Sequence, residues 1–447
     1  MTPDWPRLLS PARAGAPPDD PGPARSPFQR DHDRVLFSGP FRRLADKTQV
    51  FPLPYDDHVH SRLTHSLEVA AIGRSLGTLV GGRVLAAEPA LARRTDARAF
   101  GDCVAAACLA HDLGNPPFGH VGEEAIQEFF RSTPPPGMWA ELSPAQRLDF
   151  ERFEGNAQTF RIVTRLERPL RGHGLDLTDA TVGALVKYPC TSEAADRALG
   201  LASRKKHGLF AAELPAFART ADALGLAKDG AGRDAWQRHP LAFLTEAADD
   251  VAYNILDLED GYRLKHIDER TFLARLEPLC RAHAAAGPAF PDPATHAQRL
   301  DRADSLRAVA IDRLVHEFAD AFVENLDAIG RGAYDRALSS GIPSREALGE
   351  IGRTCLERCY RARDVLKMEL TGAEAIQGLL AIFTGAFEHP GSLRAGHLAR
   401  LLPALFEPAP AYERLLRLTD HIAGMTDHYA VRLYREMRGM RYPGGRD

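Results

Sequence analysis

The chain has 447 residues, 44% of them hydrophobic and 26% charged, with a formal net charge of -4. This is the balance of an ordinary globular protein large enough for two or three domains, and it excludes a disordered polyelectrolyte and a strongly basic nucleic-acid binder as first expectations. Uninterrupted apolar runs fall short of the roughly 18 residues that span a bilayer, and Pro, Asp and Gly stand where a secretory signal would be apolar, so the expectation is a cytoplasmic protein with no membrane partner.

In chain order, residues 1–26 are rich in Pro, Ala and Gly and predict a disordered tail, with the fold starting near Ser26. Leu63, Leu67, Ala70 and Ala71 recur at helical spacing, and Gly101 to Leu113 reads as an apolar helix that stops where Gly114, Pro116 and Pro117 arrive. Ser132-Thr133-Pro134-Pro135-Pro136-Gly137 predicts a surface loop, and so does Ala284 to Pro293. Between them Leu244, Ala247, Ala248, Val251, Ile255 and Leu258 mark another helix. Strand-like alternation is scarce, so the class is all-α, with a helical core over 27–285 and a C-terminal helical region over 300–447. The six cysteines include no CxxC pair and lie in apolar surroundings, which predicts buried reduced thiols.

His111 and Asp112 fall in the last turn of their helix, where neighbouring ligands can converge from two sides. His65 lies on a second helix and Asp249 on a third, and two imidazoles with two carboxylates are a ligand set for a divalent ion that activates water. Asp250 is the rival to Asp249; Tyr253 and Asp257 follow Asp249 at helical intervals, which favours Asp249 and places a phenol and a carboxylate on the same stripe for a sugar. Such a mixed site accepts Mn, Mg, Fe, Co or Zn according to supply.

Several separate motifs resemble the HD-superfamily deoxynucleoside triphosphate triphosphohydrolases, the bacterial dGTPase-like proteins. They run from Ser26-Pro27-Phe28-Gln29-Arg30-Asp31 through Lys47-Thr48-Gln49-Val50-Phe51, Arg62-Leu63-Thr64-His65, His111-Asp112-Leu113-Gly114-Asn115-Pro116-Pro117-Phe118-Gly119-His120, Phe153-Glu154-Gly155-Asn156, Lys187-Tyr188-Pro189 and Glu246-Ala247-Ala248-Asp249-Asp250 to Asp420-His421-Ile422-Ala423-Gly424-Met425-Thr426-Asp427. The resemblance implies an HD-type helical bundle and hydrolysis of a dNTP, with dGTP a candidate, to deoxynucleoside and inorganic triphosphate. It implies His65, His111, Asp112 and Asp249 as metal ligands, and His120 with Glu123 as the catalytic pair. Gln49, Arg62, Asn115, Tyr253 and Asp257 become substrate contacts: Arg62 and Asn115 at phosphates, Gln49 at the sugar or base, the other two at the sugar. Lys187, Tyr188 and the Lys205-Lys206 pair read as a solvated face without catalytic role. Homo-oligomerisation is a family expectation, and a nucleotide effector or single-stranded nucleic acid are further partners to consider. Two other readings stay open: an HD phosphohydrolase acting on a nucleoside monophosphate, cyclic nucleotide or guanosine polyphosphate, and a regulatory module that binds nucleotide or single strands with little hydrolysis. Departures from the family pattern are His60 and Ser61 before the ligand helix, His421 where tyrosine is usual, and an apparent enlarged loop from Arg83 to Arg98.

Overall fold

A computed structural model describes residues 3–14, 25–51, 59–167, 174–230, 232–281 and 295–440. Among these residues the structure is helical, with isolated bridges and no strands, as the sparse alternation implies.

The N-terminal expectation needs correcting. Trp5–Leu8 forms a short helix (α1), and Trp5 is fully buried, its ring edge-on to Phe100 at 4.8 Å. Arg13 donates to Asp31 Oδ1 and to the Asp176 carbonyl, both at 2.5 Å, so it ties this segment to Pro27–Leu36 (α2). Composition suggested a tail because Pro and Ala dominate, but three apolar side chains, Trp5, Leu8 and Leu9, are enough to anchor it. The remainder of the predicted tail, 15–24, lies outside the described residues, as does the predicted loop from Ala284 to Pro293.

Two long helices build the floor of the site. Arg62–Ala87 (α3) starts on a reciprocal cap in which the Ser61 and Thr64 side chains each accept the other's backbone N–H. Ala97–Ala110 (α4) is capped by Asp96 and is buried on nearly every face from Phe100 to Ala110. Gly73, Gly77 and Gly81, four residues apart, form a flat stripe that lets α3 and α4 nearly touch. A Cβ at Gly73 would sit 2.5 Å from Cys108 Sγ, and one at Gly77 2.9 Å from the Gly101 Cα. The stretch from Arg83 to Arg98 is not an enlarged loop: it holds the end of α3, the short helix Pro89–Ala92 and the start of α4. α4 also begins earlier than its pattern suggests and ends at Ala110, so His111 and Asp112 occupy the turn just beyond it.

Downstream come His120–Ser132 (α5), Gly155–Arg161 (α6), Pro240–Arg263 (α7), His296–Glu324 (α8), Arg345–Cys355 (α9), Arg363–Glu388 (α10), Ala411–Ala423 (α11) and Asp427–Met437 (α12). The proline run after Ser132 is only partly loop, because Pro136 opens another helical turn, Pro136–Ala140, as proline at a first helical position can. Two large apolar cores and one small cluster result among the described residues. The first gathers α3, α4, α7, α8 and α9; the second joins α5 to α10, α11 and α12 through Phe118, Ile126, Phe130, Ile376, Phe383, Leu415 and Leu433. α3 and α10 are long and apolar enough to cross a membrane, yet about half of each apolar window (50% and 56%) is buried inside the fold, as befits core helices. All six cysteines are free and buried.

Candidate active site

The end of α4, the first turns of α3 and the middle of α7 meet at one point. His65 Nε2 lies 3.3 Å and His111 Nε2 3.5 Å from Asp249 Oδ1, and the ligand atoms of these three residues all fall within 4.8 Å of one another. Bonds of about 2 Å to one central ion allow that spacing, so His65, His111 and Asp249 could hold a divalent metal. The donor set fits as well. His111 Nδ1 faces the Cys108 carbonyl at 2.6 Å, which directs Nε2 toward Asp249 and fixes the ring as an outer-shell partner does.

Asp112 stands beside this trio. Its Oδ1 is 3.3 Å from His111 Nε2 and accepts the Asn115 amide at 2.5 Å, while Oδ2 accepts Arg62 at 2.7 Å. Burial opposes charge on Asp112, but the His111 imidazole and the Arg62 guanidinium outweigh it and hold the carboxyl well below the usual range. Asp249 is held low against burial too, chiefly by Lys187, whose Nζ donates to Oδ2 at 2.6 Å. The reading of Lys187 as part of a solvated face is therefore wrong: its side chain is 10% exposed and pairs with the carboxylate of the His65–His111–Asp249 cluster.

His120 and Glu123 form the pair that the resemblance implies. They share the first turn of α5, Nδ1 to Oε2 at 2.9 Å, and the other Glu123 oxygen accepts the Gly155 N–H at 2.6 Å. The His120 side chain is 79% exposed whereas Glu123 is buried, so a fixed carboxylate steers an accessible imidazole. The hydrogen bond to Glu123 raises the His120 pKa. Lys206 sits 3.8 Å from Glu123 Oε2 and donates to Glu154 at 3.0 Å, a second lysine set aside in the sequence that reaches the site. Burial and the neighbouring Glu123 charge push Glu154 up to about 7.

The implied substrate contacts are arranged less openly. Arg62 and Asn115 are both engaged with Asp112, although Arg62 Nε is buried without a partner. Gln49 follows Thr48, which bridges to Ser61 at the start of α3, and its Oε1 is likewise buried and unpartnered. Tyr253 is 38% exposed one turn beyond Asp249. Asp257 is buried and accepts the Tyr360 hydroxyl at 2.6 Å, and burial pushes it up to about 7. Tyr360 carries no sequence signal, because it reaches the site from a π-helical turn over 100 residues away.

His60 has a structural task. Its Nδ1 pairs with Asp260 Oδ1 at 2.8 Å and its Nε2 lies 3.2 Å from Glu68, so it pins the start of α3 to α7, the helices that carry His65 and Asp249. Burial opposes the imidazolium, but Asp260 and Glu68 outweigh it and push the pKa up to about 10.

Comparison with known proteins follows the same lines. Residues 62–181 match the HD domain, and residues 343–436 match the phosphohydrolase-associated domain. The chain is 39% identical to the deoxyguanosinetriphosphate triphosphohydrolase-like protein of Synechocystis sp., over 98% of this chain and 99% of that one. It is 40% identical to a protein of the same description from Pseudomonas aeruginosa, over 98% and 100%. The deoxyguanosinetriphosphate triphosphohydrolase of Klebsiella pneumoniae is 32% identical over 92% and 93%. With His65 and His111 inside the segment matched to the HD domain, these end-to-end similarities make the chain a member of the HD-superfamily dGTPase-like phosphohydrolases.

Proposed function

We propose that the protein hydrolyses deoxynucleoside triphosphates to deoxynucleoside and inorganic triphosphate. The observation that carries this reading is the meeting of His65, His111 and Asp249 at one point, with an exposed, carboxylate-backed His120 at the start of α5. A divalent ion held by His65, His111 and Asp249, with Asp112 at its side, would polarise the α-phosphate and its attacking water. Water oxygen bonds to the α-phosphorus and releases a proton to solvent, while the bond to the 5′ oxygen breaks and its electron pair leaves on that oxygen. His120 supplies the proton from Nε2, since Nδ1 is turned to Glu123, and a histidine raised by a buried carboxylate keeps that proton near neutral pH. Arg62, anchored on Asp112, is placed to present its remaining donors to phosphate oxygens. Tyr253 offers an exposed ring for the sugar, with Asp257 one turn further along α7. The names of the relatives make dGTP the first substrate to try.

The test is product analysis on a panel of the four dNTPs with Mn²⁺ or Mg²⁺. The expected products are deoxynucleoside and triphosphate. Monophosphate with pyrophosphate, or no turnover of any dNTP, overturns the proposal.

A further inference from the structure

The loop between the ligand turn and the catalytic histidine, residues 115–119, has its own Gly119 N–H to Pro116 carbonyl bond at 3.1 Å but is held largely from outside. Phe118 has φ 62° and Gly119 φ 58°, and an aromatic residue stays in the left-handed region only where its surroundings impose it. The surroundings that do so come from the C-terminal helical region and from Lys47. Asp427, the first residue of α12, accepts the Phe118 N–H on Oδ1 and the Thr48 N–H on Oδ2, both at 2.9 Å. Lys47 donates to the Asn115 carbonyl at 2.6 Å and to the Ala423 carbonyl at the end of α11 at 2.7 Å. The Phe118 ring lies on Gly372 of α10, where a Cβ would overlap it. Asp427 is 6% exposed and Lys47 2%, so neither is a surface contact.

We propose that Asp427, from the C-terminal helical region, and Lys47, from the segment before α3, are positioning residues that clamp the 115–119 loop between them, fixing Asn115 on Asp112 at one end and His120 at the other. The relevance to turnover rests on the triphosphohydrolase reading; the clamp itself does not. Both N–H groups of the clamp would be orphaned in a buried place without Asp427, and a carboxylate is well suited there because it offers two acceptors and no donor. It also sits at a helix N-terminus, where negative charge is favoured. The metal-ligand trio lies on α3, α7 and the end of α4, outside the clamp, so loosening it should disturb proton delivery more than ion binding.

Asp427→Asn keeps the shape but turns an N–H₂ toward one of the two backbone donors, and Lys47→Met removes both lysine bonds at similar volume. Each full-length variant is compared with the wild type by amide hydrogen exchange over peptides spanning 113–121, by Mn²⁺ titration calorimetry, and by kcat and KM on the best dNTP. The clamp predicts at least tenfold faster exchange in that peptide, kcat lowered at least tenfold, and KM and Mn²⁺ affinity within about threefold of wild type. Unchanged exchange in both variants overturns the clamp even if hydrolysis is normal. Faster exchange with unchanged kcat, or with kcat and Mn²⁺ affinity falling equally, overturns the positioning role. If the wild type hydrolyses no dNTP, the exchange measurement still decides the clamp, and the failure belongs to the proposed function alone.

Discussion

Replacing His60 by glutamine tests whether a charged pair holds the two ligand helices together. With the imidazole at about 10 in the fold against 6.5 unfolded, linkage gives a contribution of about 4 kcal/mol at pH 7, falling to about 0.4 kcal/mol at pH 10. The sign follows from a raised histidine: the stabilisation is complete below about pH 6.5 and is lost as pH rises through about 10. The Glu68 side chain is 39% exposed and solvent screens that half of the interaction, so about 2 kcal/mol at pH 7 is the realistic figure. Urea unfolding followed by circular dichroism, run on wild type and His60→Gln at pH 7 and pH 10, reads the difference directly. The gap between the two proteins should narrow by about 1.5–2 kcal/mol on going to pH 10. A gap that stays constant to within about 0.5 kcal/mol means the pair contributes packing but no charge, and the argument from the raised pKa fails.

Three further outcomes are expected. His111→Ala should abolish dNTP hydrolysis and weaken Mn²⁺ binding by more than the about 10–100-fold that outer-shell changes cost, with an unchanged helical spectrum; retained binding by calorimetry would remove His111 from the ligand set. Glu123→Gln should lower kcat by about 10²–10⁴-fold and move the alkaline limb of its pH profile downward, because the bond to Glu123 is what keeps His120 protonated at higher pH; a limb that does not move assigns the proton to another group. Trp5→Ala should cost about 3–5 kcal/mol in urea unfolding, as for other buried aromatics, whereas a mobile N-terminal segment would leave stability unchanged.

Much of this site could be read from sequence because its chemistry is local. His111 precedes a Gly-Asn-Pro-Pro stop, and Asp249 starts a stripe with Tyr253 and Asp257, so the elements carrying them follow from periodicity and turn residues. What was not legible depends on contacts between distant segments. Lys187 and Lys206 resemble surface charge until the fold brings Asp249 and Glu123 within reach. Tyr360 meets Asp257 only through packing of a turn after α9 against α7, and the clamp on Phe118 spans 309 residues. Trp5 was overlooked for a different reason: averaging over a Pro-rich window hides a single large apolar anchor.

The glycine stripe of α3 has a bearing on how steadily His65 and His111 face each other. Where helices meet through long side chains, rotamer changes can widen or narrow the gap; here main chain rests almost directly on main chain, at Gly77 against Gly101. The separation of the two imidazoles is thus governed by the stiffest part of the polypeptide, and breathing elsewhere in the core has little leverage on it.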